Sequence, residues 1–268
     1  MINKMFFFIN KFCEIPFDIC FKVNGLKLYA NKPDRILALL LWKFKILESK
    51  EIKFLKKIIK KNMIVVDVGA NVGLYTSILS KLVGSNGKVF SYEPEPNNFR
   101  LLKKCKKINE LDNVIIESIA IGEKKENTNF YVSKINSGDN RLSSFKQIHS
   151  IISVQKDSLD NKLRKQKYID FIKMDIQGGE YLALLGMKNL IVTNKKLIIL
   201  SEVDYSMLAS ANTNLKDFFK FIKLHFPYIY NINSSRNKMN NFNLKKSDNL
   251  LKKKNFRNLI FSKKIINF

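Results

Sequence analysis

From about residue 60 onward the chain alternates between short runs rich in β-formers and longer stretches in which apolar residues recur every three or four positions. The runs 63–68, 88–92, 114–118, 169–174 and 197–203 are rich in Val, Ile and Phe and are bounded by polar residues or glycine. That pattern predicts strands covered on both faces. Between them, 74–82, 97–109, 180–187 and 214–224 carry helical periodicity. In 97–109, Phe99 and Leu102 sit three apart on one face while Lys103, Lys104, Lys106 and Lys107 fill the other. Leu182 and Leu185 ahead of Gly186 predict a short helix that closes at a glycine. Strands alternating with helices predict an α/β domain of repeated βα units around a mostly parallel sheet.

Residues 122–156 interrupt this rhythm. They hold two further strand candidates, 128–133 and 151–154, around the polar loop "NSGDNRLSS". An insertion of this kind between core strands can carry recognition or be a plain surface hairpin. Later in the chain, 228–232 and 258–261 read as strands flanking the polar stretch 233–249. Near the start, Asn24-Gly25 predicts a hairpin, and an apolar-striped helical region begins at Arg35. The expected organisation is a small N-terminal extension over 1–60, a cap or docking segment, and a main domain over 61–268.

Composition adds little to the fold and something to the partners. Hydrophobic residues make up 46% and charged residues 26%, ordinary values for a folded domain; a compact fold of this length buries roughly 70–75% of its unfolded-chain surface. The 48 Lys+Arg against 23 Asp+Glu leave a formal charge of +25, which attracts phosphate-rich partners or an anionic membrane surface. The lysines are spread along the whole chain beside abundant Asn and Ile, so clusters such as 252–254 read as solvated faces and nucleic acid as a minor candidate partner. Cys13, Cys20 and Cys105 are too few for a disulfide framework and form no C-x-x-C pair, which fits a reducing interior. The apolar runs at 5–9 and 36–42 fall below the ~18 residues of a membrane span. The expectation is a cytoplasmic protein without a transmembrane segment, its lysines compatible with weak peripheral membrane contact.

The candidate chemistry begins at "VVDVGANVGLYT", residues 65–76. In an open parallel sheet, ligands bind beyond the carboxyl ends of the strands, near the switch point of strand order. Gly69 permits a tight turn and close backbone approach, Gly73 lets the next helix pack near the strand, and the helix N-terminus presents unpaired N–H groups. The spacing departs from G-x-G-x-x-G, because Ala70-Asn71 stands where that fingerprint has its middle glycine. The next strand ends in "SYEPEP", so Glu93 follows the first glycine by roughly two dozen residues, near the ~20 of an acid that holds ribose hydroxyls. A carboxylate there accepts hydrogen bonds from a vicinal diol and repels a 2′-phosphate. NAD and S-adenosylmethionine both remain. Asp67 at the helix mouth opposes a pyrophosphate and suits the cationic amino group and sulfonium of S-adenosylmethionine.

Four blocks in order, "VVDVGANVGLYT", "VFSYEPEPNNF", "VIIESIAIG" and "LDNKLRKQKYIDFIKMDIQGGEYLALLGM", resemble those of the FkbM-type methyltransferases, an S-adenosylmethionine-dependent family with the class I methyltransferase fold. The resemblance covers about residues 48–204, and "FRNLIFSKK" is similar to the family's ending. It implies a Rossmann-like α/β fold with a mostly parallel seven-stranded sheet and helices on both faces, a methyltransferase domain over 61–268, and S-adenosyl-L-methionine as cofactor. It also implies roles. Asp67, Gly69, Ala70, Asn71 and Gly73 would line the methionine end of the donor, Glu93 with Pro94 would hold the ribose, and Ser118, Ile119 and Ala120 would flank the adenine. The family's K-x-D-x-E-G-x-E block stands here as Lys173, Asp175, Gln177, Gly178 and Glu180, with Gln177 in place of an acid.

Methyl transfer from a sulfonium is an in-line displacement that positioning can assist by ~7–11 kcal/mol, and a hydroxyl acceptor must also lose its proton. An acid at the mouth of "FIKMDIQ" suits that task, so Asp175 is the expected base or acceptor-orienting group, with Lys173 and Glu180 as partners. Plainer roles stand beside these: Lys173 as a strand-end lysine, Glu180 as a first-turn acid favoured by the helix dipole. Arg141 in "GDNRL" could grip an acidic or hydroxyl-rich acceptor, and Glu202 points to the same rim. His149 and His225 lack partners at metal-ligand spacing, and no metal site is expected. The expected activity is O-methylation of a hydroxyl on a sugar, glycan, lipid or small natural product. The alternatives are an RNA methyltransferase or nucleic-acid binder, suggested by the charge; an NAD oxidoreductase, opposed by Asp67 and the missing glycine; and a non-catalytic methyltransferase fold kept for binding, suggested by Gln177.

Overall fold

The computed structural model describes residues 18–23, 25–30, 50–133, 137–146, 148–232 and 257–266. Strands β1 (Ile19–Val23) and β2 (Leu26–Ala30) form a hairpin and are followed by helix α1 (Lys50–Ile58). The chain then runs through β3 (Ile64–Val68), α2 (Leu74–Val83), β4 (Lys88–Tyr92), α3 (Pro96–Ile108) and β5 (Val114–Glu117). A side sheet comes next, from β6 (Ala120–Ile121), β7 (Glu126–Ser133) and β8 (Ile148–Asp157), and leads to α4 (Leu159–Lys162). The remaining elements are β9 (Phe171–Met174), α5 (Glu180–Leu185), α6 (Lys188–Thr193), β10 (Ile198–Val203), α7 (Tyr205–Ser210), α8 (Leu215–His225), β11 (Tyr228–Asn231) and β12 (Arg257–Ser262).

The main sheet has seven strands in the order β11-β12-β10-β9-β3-β4-β5. Its strands run parallel except β12, which is antiparallel to both β10 and β11. This is a Rossmann-like α/β sheet with the class I methyltransferase strand order. Strand alternation sends successive side chains to two cores. Val66, Val68, Ile172 and Ile199 join Leu184, Leu208 and Phe218 on one face. Val65, Val89, Phe171 and Leu200 join Leu55 and Leu79 on the other. Burial on both faces is why these strands read as continuous apolar runs. The chain proceeds outward from β3 to β4 and β5 and then returns to β9 on the opposite side of β3, so the switch point lies between β3 and β9.

Local signals set several boundaries. Glu95 caps α3, accepting from Asn98 N, with Pro96 at its first position. Asp204 caps α7 by accepting from Met207 N. The core strands and main helices lie within two residues of their predicted bounds, while β8 extends three residues further at each end. The short α4, α6, α7 and β6 were not foreseen, because pieces of two to six residues carry too few positions for a period to register. The reversal of β12 is likewise invisible in its residues. The helical region expected from Arg35, the polar stretch 233–249 and Cys13 lie outside the described residues.

The expected hairpin pairs Val23 with Leu26, with Gly25 at φ 78. It docks on α3: Lys27 N donates to Asn109 Oδ1 at 2.8 Å, Asn109 Nδ2 donates to Lys27 O at 2.6 Å, and Asp18 pairs with Arg100 and Lys104. Val23 and Ile52 pack with Leu74, Tyr75 and Ile78 of α2. Phe54 and Leu55 of α1 enter the sheet's own core. No helix among the described residues is long and apolar enough to cross a membrane.

Candidate active site

At the switch point two backbones nearly touch. Gly69 has φ +81, and a Cβ there would lie 2.1 Å from the Asp175 carbonyl oxygen, so the turn leaving β3 admits no side chain. The amides of Gly69 and Ala70 both donate to Tyr92 O at 3.0 Å, and Asp175 N donates to Val68 O at 3.1 Å. The turn is thus fastened to the ends of β4 and β9. Asn71 also takes a positive φ, 50°; its N–H donates to Glu93 Oε2 at 2.8 Å, and its side-chain oxygen accepts from Ser137 Oγ at 3.1 Å. Gly73, with φ +97, serves helix packing: a Cβ there would meet Leu102 Cδ1 at 2.9 Å and Cys105 Sγ at 3.2 Å. Its closest approach is therefore to α3 and not, as the sequence suggested, to the strand.

A cleft with about 490 Å³ of space, part of it open to solvent, lies above these carboxyl ends. Gly69, Asn71, Glu93 and Pro94 form its floor and one end, and Ile119, Ala120 and Ile121 a second wall. The insertion supplies the third wall, through Phe130, Ser137, Gly138, Asn140 and Leu142. Asp175 and Ile176 stand at the other end. Glu93 is buried, with Oε1 accepting from Glu95 N at 3.0 Å. Burial pushes its carboxyl up to about 7, opposed by the amides of Glu95 and Asn71.

Beside Asp175 the acids converge. Gln177 Nε2 donates to Asp175 Oδ1 at 2.8 Å and to Glu202 Oε2 at 3.2 Å. Lys173 Nζ lies 3.4 Å from Asp175 Oδ2 and 3.9 Å from Asp67 Oδ1, and 4.4 Å above the centre of the Tyr75 ring. Burial disfavours the charge on Lys173, but Asp175 and Asp67 outweigh it and hold the ammonium ionised. Burial would raise Asp175 too; Lys173 overrides it, with hydrogen bonds from Glu202 and Gln177, and the net direction is downward. Glu202 goes the other way, up to about 9, through burial and the adjoining Asp175 charge. The two carboxyls are thus pushed apart, Asp175 toward its charged form and Glu202 toward its neutral one. Among the described residues no three acid, His or Cys side chains converge as a metal ion requires.

Of the residues singled out from sequence, Gly69, Asn71, Glu93, Pro94, Ile119, Ala120 and Asp175 line the cleft. Ala70 is buried behind them, and the Ser118 side chain is exposed to solvent. Asp67 lies beneath the turn, fully buried: Oδ2 accepts from Thr76 Oγ1 at 2.7 Å, and Oδ1 has no hydrogen-bond partner. Burial raises its carboxyl and Lys173 opposes the rise. Lys173 stands behind Asp175. Glu180 is turned inward and braces the β9–α5 turn, accepting from Ile176 N at 3.2 Å and Gly178 N at 2.9 Å. The residues that sequence reasoning missed come chiefly from the insertion, above all Phe130, Ser137 and Leu142. Their only signal was the insertion's position between core strands. His149 is exposed and His225 packs on Phe221.

A donor with an adenosine and a sulfonium fits these residues. The floor is bare at Gly69, a buried carboxyl with lone pairs to spare closes the β4 end, apolar side chains face each other across the cleft, and the Asp175 end is anionic.

A family model described as the methyltransferase FkbM domain matches residues 67–240. The chain is also similar, at low identity, to several solved structures. An rRNA methylase from Streptococcus thermophilus is 12% identical, with 81% of this chain and 98% of that one covered and a TM-score of 0.44. TYW2 from M. jannaschii, in complex with AdoMet, is 14% identical over 91% and 84%, with a TM-score of 0.42. A SAM-dependent methyltransferase from Aquifex aeolicus is 20% identical over 65% and 73%, with a TM-score of 0.36. No curated protein is a significant match to the chain.

Proposed function

Because the chain belongs to the FkbM methyltransferase family, whose cofactor is S-adenosylmethionine, we propose that it methylates a hydroxyl of a sugar, glycan, lipid or small natural product. The observation that carries this reading is the placing of Asp175 at one end of the cleft, its carboxylate 2.8 Å from Gln177 Nε2 and 3.4 Å from Lys173 Nζ. A chain of formal charge +25 nevertheless sets Glu93 and Asp175 along this cleft, with Glu202 beside Asp175, which suits a cationic donor and a base.

The proposed roles follow the cleft from end to end. Glu93 accepts from the ribose diol on the lone pairs left free by the Asn71 and Glu95 amides. Ile119, Ile121 and Phe130 enclose the adenine and exclude water. Bound there, S-adenosylmethionine supplies a methyl group whose C–S bond breaks as the new C–O bond forms, the electron pair passing to sulfur. Asp175 accepts the hydroxyl proton, with Gln177 and Lys173 holding its carboxylate in place. Lys173 and Asp67 act as positioning residues, and Glu180 keeps the β9–α5 turn in shape. Residues 1–60 are read as a docking extension, of which the described hairpin packs on α3 and Ile52 on α2, and the cysteine usage supports a cytoplasmic setting.

Methyl-labelled S-adenosylmethionine offered with hydroxylated sugars, lipids, natural-product panels and total RNA tests this. Label in a hydroxyl-dependent product, reduced ~10²–10⁴-fold in Asp175→Asn, is the expected result. Label confined to RNA would overturn the acceptor assignment. Failure of the folded protein to bind S-adenosylhomocysteine would overturn the activity.

A further inference from the structure

The edge of the main sheet opposite the cleft carries a surface that the cleft chemistry does not use. Ile64, Lys88, Phe171, Ile198 and Tyr228 open their strands there, and Ser262 closes β12 beside Ile198 and Tyr228. Four segments meet at that edge: 163–170, 194–197, 223–227 and 263–266. Contacts between them make the surface continuous. Ile169 N donates to Asn194 Oδ1 at 2.6 Å, Lys263 N donates to Leu197 O at 3.2 Å, and Lys263 Nζ lies 5.5 Å from the centre of the Phe226 ring.

Positive charge is concentrated here. Eight of the 21 residues in these segments are Lys or Arg, against 48 of 268 over the whole chain, so an even spread of lysines does not account for them. Asp170 is the one acid in the four segments, and its Oδ2 already accepts from Ile64 N at 2.9 Å. None of the eight cations is ion-paired among the described residues. Apolar side chains stand among them. Tyr168, Val192, Leu224 and Ile265 are 48%, 62%, 77% and 62% exposed, four of the seven large hydrophobic residues exposed in the described chain. Val192 lies two residues ahead of Asn194 at the end of α6, and the other three each follow a lysine directly. A single exposed apolar side chain needs no explanation; four along one basic edge make a mixed surface that fits a partner.

The partner that rewards both features is a lipid headgroup surface of net negative charge. Lysine acts toward such a surface as a point charge, without the rigid fork with which arginine reads individual phosphates. Aliphatic side chains gain by entering the boundary between headgroups and acyl chains, whereas a nucleic-acid strand rewards stacked aromatic rings. Here one of the eight cations is an arginine, Arg164, and three of the four apolar residues are aliphatic.

We propose that this edge docks the protein on an anionic membrane surface, through its lysines and through Tyr168, Val192, Leu224 and Ile265. The cleft, on the opposite edge, then opens to the aqueous side, and the acceptor reaches it from there. The docking surface stands apart from the methyl-transfer reading and is tested without it.

The test is co-sedimentation of the full-length protein with vesicles of phosphatidylcholine alone and of phosphatidylcholine mixed with phosphatidylglycerol. Binding to the mixed vesicles, weakened by added salt, and none to the neutral ones is the expected result. The paired substitutions Lys165→Gln and Lys196→Gln should weaken it about tenfold or more, and so should Leu224→Ser with Ile265→Ser. All four side chains are exposed, and circular dichroism checks that the fold is kept; should the second pair not fold, Leu224→Ser alone replaces it. Lys103→Gln with Lys107→Gln on α3 removes the same charge elsewhere and should change binding by less than about threefold. No binding to the mixed vesicles, equal binding to the neutral ones, unchanged binding in either pair at the edge, or an equal loss in the α3 pair would overturn the proposal. So would a single-stranded RNA that binds more tightly than the mixed vesicles and ignores the Leu224 and Ile265 substitutions, which would make the edge a nucleic-acid face.

Discussion

Replacing Gly69 by Ala puts a methyl group where the Asp175 carbonyl oxygen already stands, 2.1 Å from the new carbon, and does so at φ +81. The obstacle is backbone, so no rotamer change relieves it. The turn cannot retreat freely either, because the amides of residues 69 and 70 are tied to Tyr92 O, and Asp175 N to Val68 O. The left-handed conformation costs ~1–2 kcal/mol for a residue with a Cβ, and overpacking of a closed site adds ~1–3 kcal/mol. Urea unfolding should therefore show a loss of about 2–5 kcal/mol. Relief requires β3 and β9 to part at their carboxyl ends, so S-adenosylhomocysteine affinity measured by calorimetry should fall about tenfold or more, 1.4 kcal/mol per decade. Gly73→Ala is the control. Its φ is also positive, but its nearest contacts are the side-chain atoms Leu102 Cδ1 and Cys105 Sγ, which can shift, so about 1–3 kcal/mol of stability goes while donor affinity stays within about threefold. A Gly69→Ala protein with unchanged unfolding and unchanged donor binding would refute the close approach of turn and strand on which the cleft is built.

Glu93 titrates near 7 in the folded protein and must be ionised to accept both ribose hydroxyls, so donor affinity should climb between pH 6 and 8; Glu93→Gln should bind about 10–100-fold more weakly and lose the slope. Lys173→Met removes the cation facing Asp67 and Asp175, and urea unfolding should show about 3–5 kcal/mol of destabilisation, with the acidic limb of the pH–rate profile moving to higher pH. Glu180, like Glu93, is raised from 4.5 to about 7. The fold holds these protons more tightly than the unfolded chain does, so the contribution is complete below about pH 4.5 and disappears as pH rises through 7. Unfolding of Glu180→Gln at pH 5 and 8 should accordingly show a smaller fall with pH than the wild type does. Gln177→Glu takes away the amide that donates to both Asp175 and Glu202 and sets a third carboxyl beside them, so its melting temperature should drop at pH 8 and recover at pH 5.

The sheet was legible because its strands are buried on both faces and so write themselves as mostly apolar runs, as in Leu197, Ile198, Ile199 and Leu200. The glycine turn was legible because a positive φ at Gly69 demands that residue. Asp175 and Glu93 could be placed because carboxyl ends of parallel strands face one rim. Direction of burial was harder. Asp67 and Glu180 look like rim acids in sequence, yet one faces Thr76 and Lys173 beneath the turn and the other accepts its own loop's amides. The third wall was the least legible part. Phe130 reaches the cleft from β7 in its pairing with β8, and Leu142 from the loop bridged to β7 at Tyr131 and Arg141, contacts that depend on tertiary structure and leave no period in the chain.

The most direct test of the central claim is a crystal structure with S-adenosylhomocysteine. The account predicts its ribose hydroxyls within hydrogen-bond reach of Glu93, its adenine between Ile119 and Phe130, and its sulfur at the Asp175 end of the cleft. Density for the nucleoside elsewhere, or in this cleft with neither Glu93 nor Asp175 in reach, would contradict it.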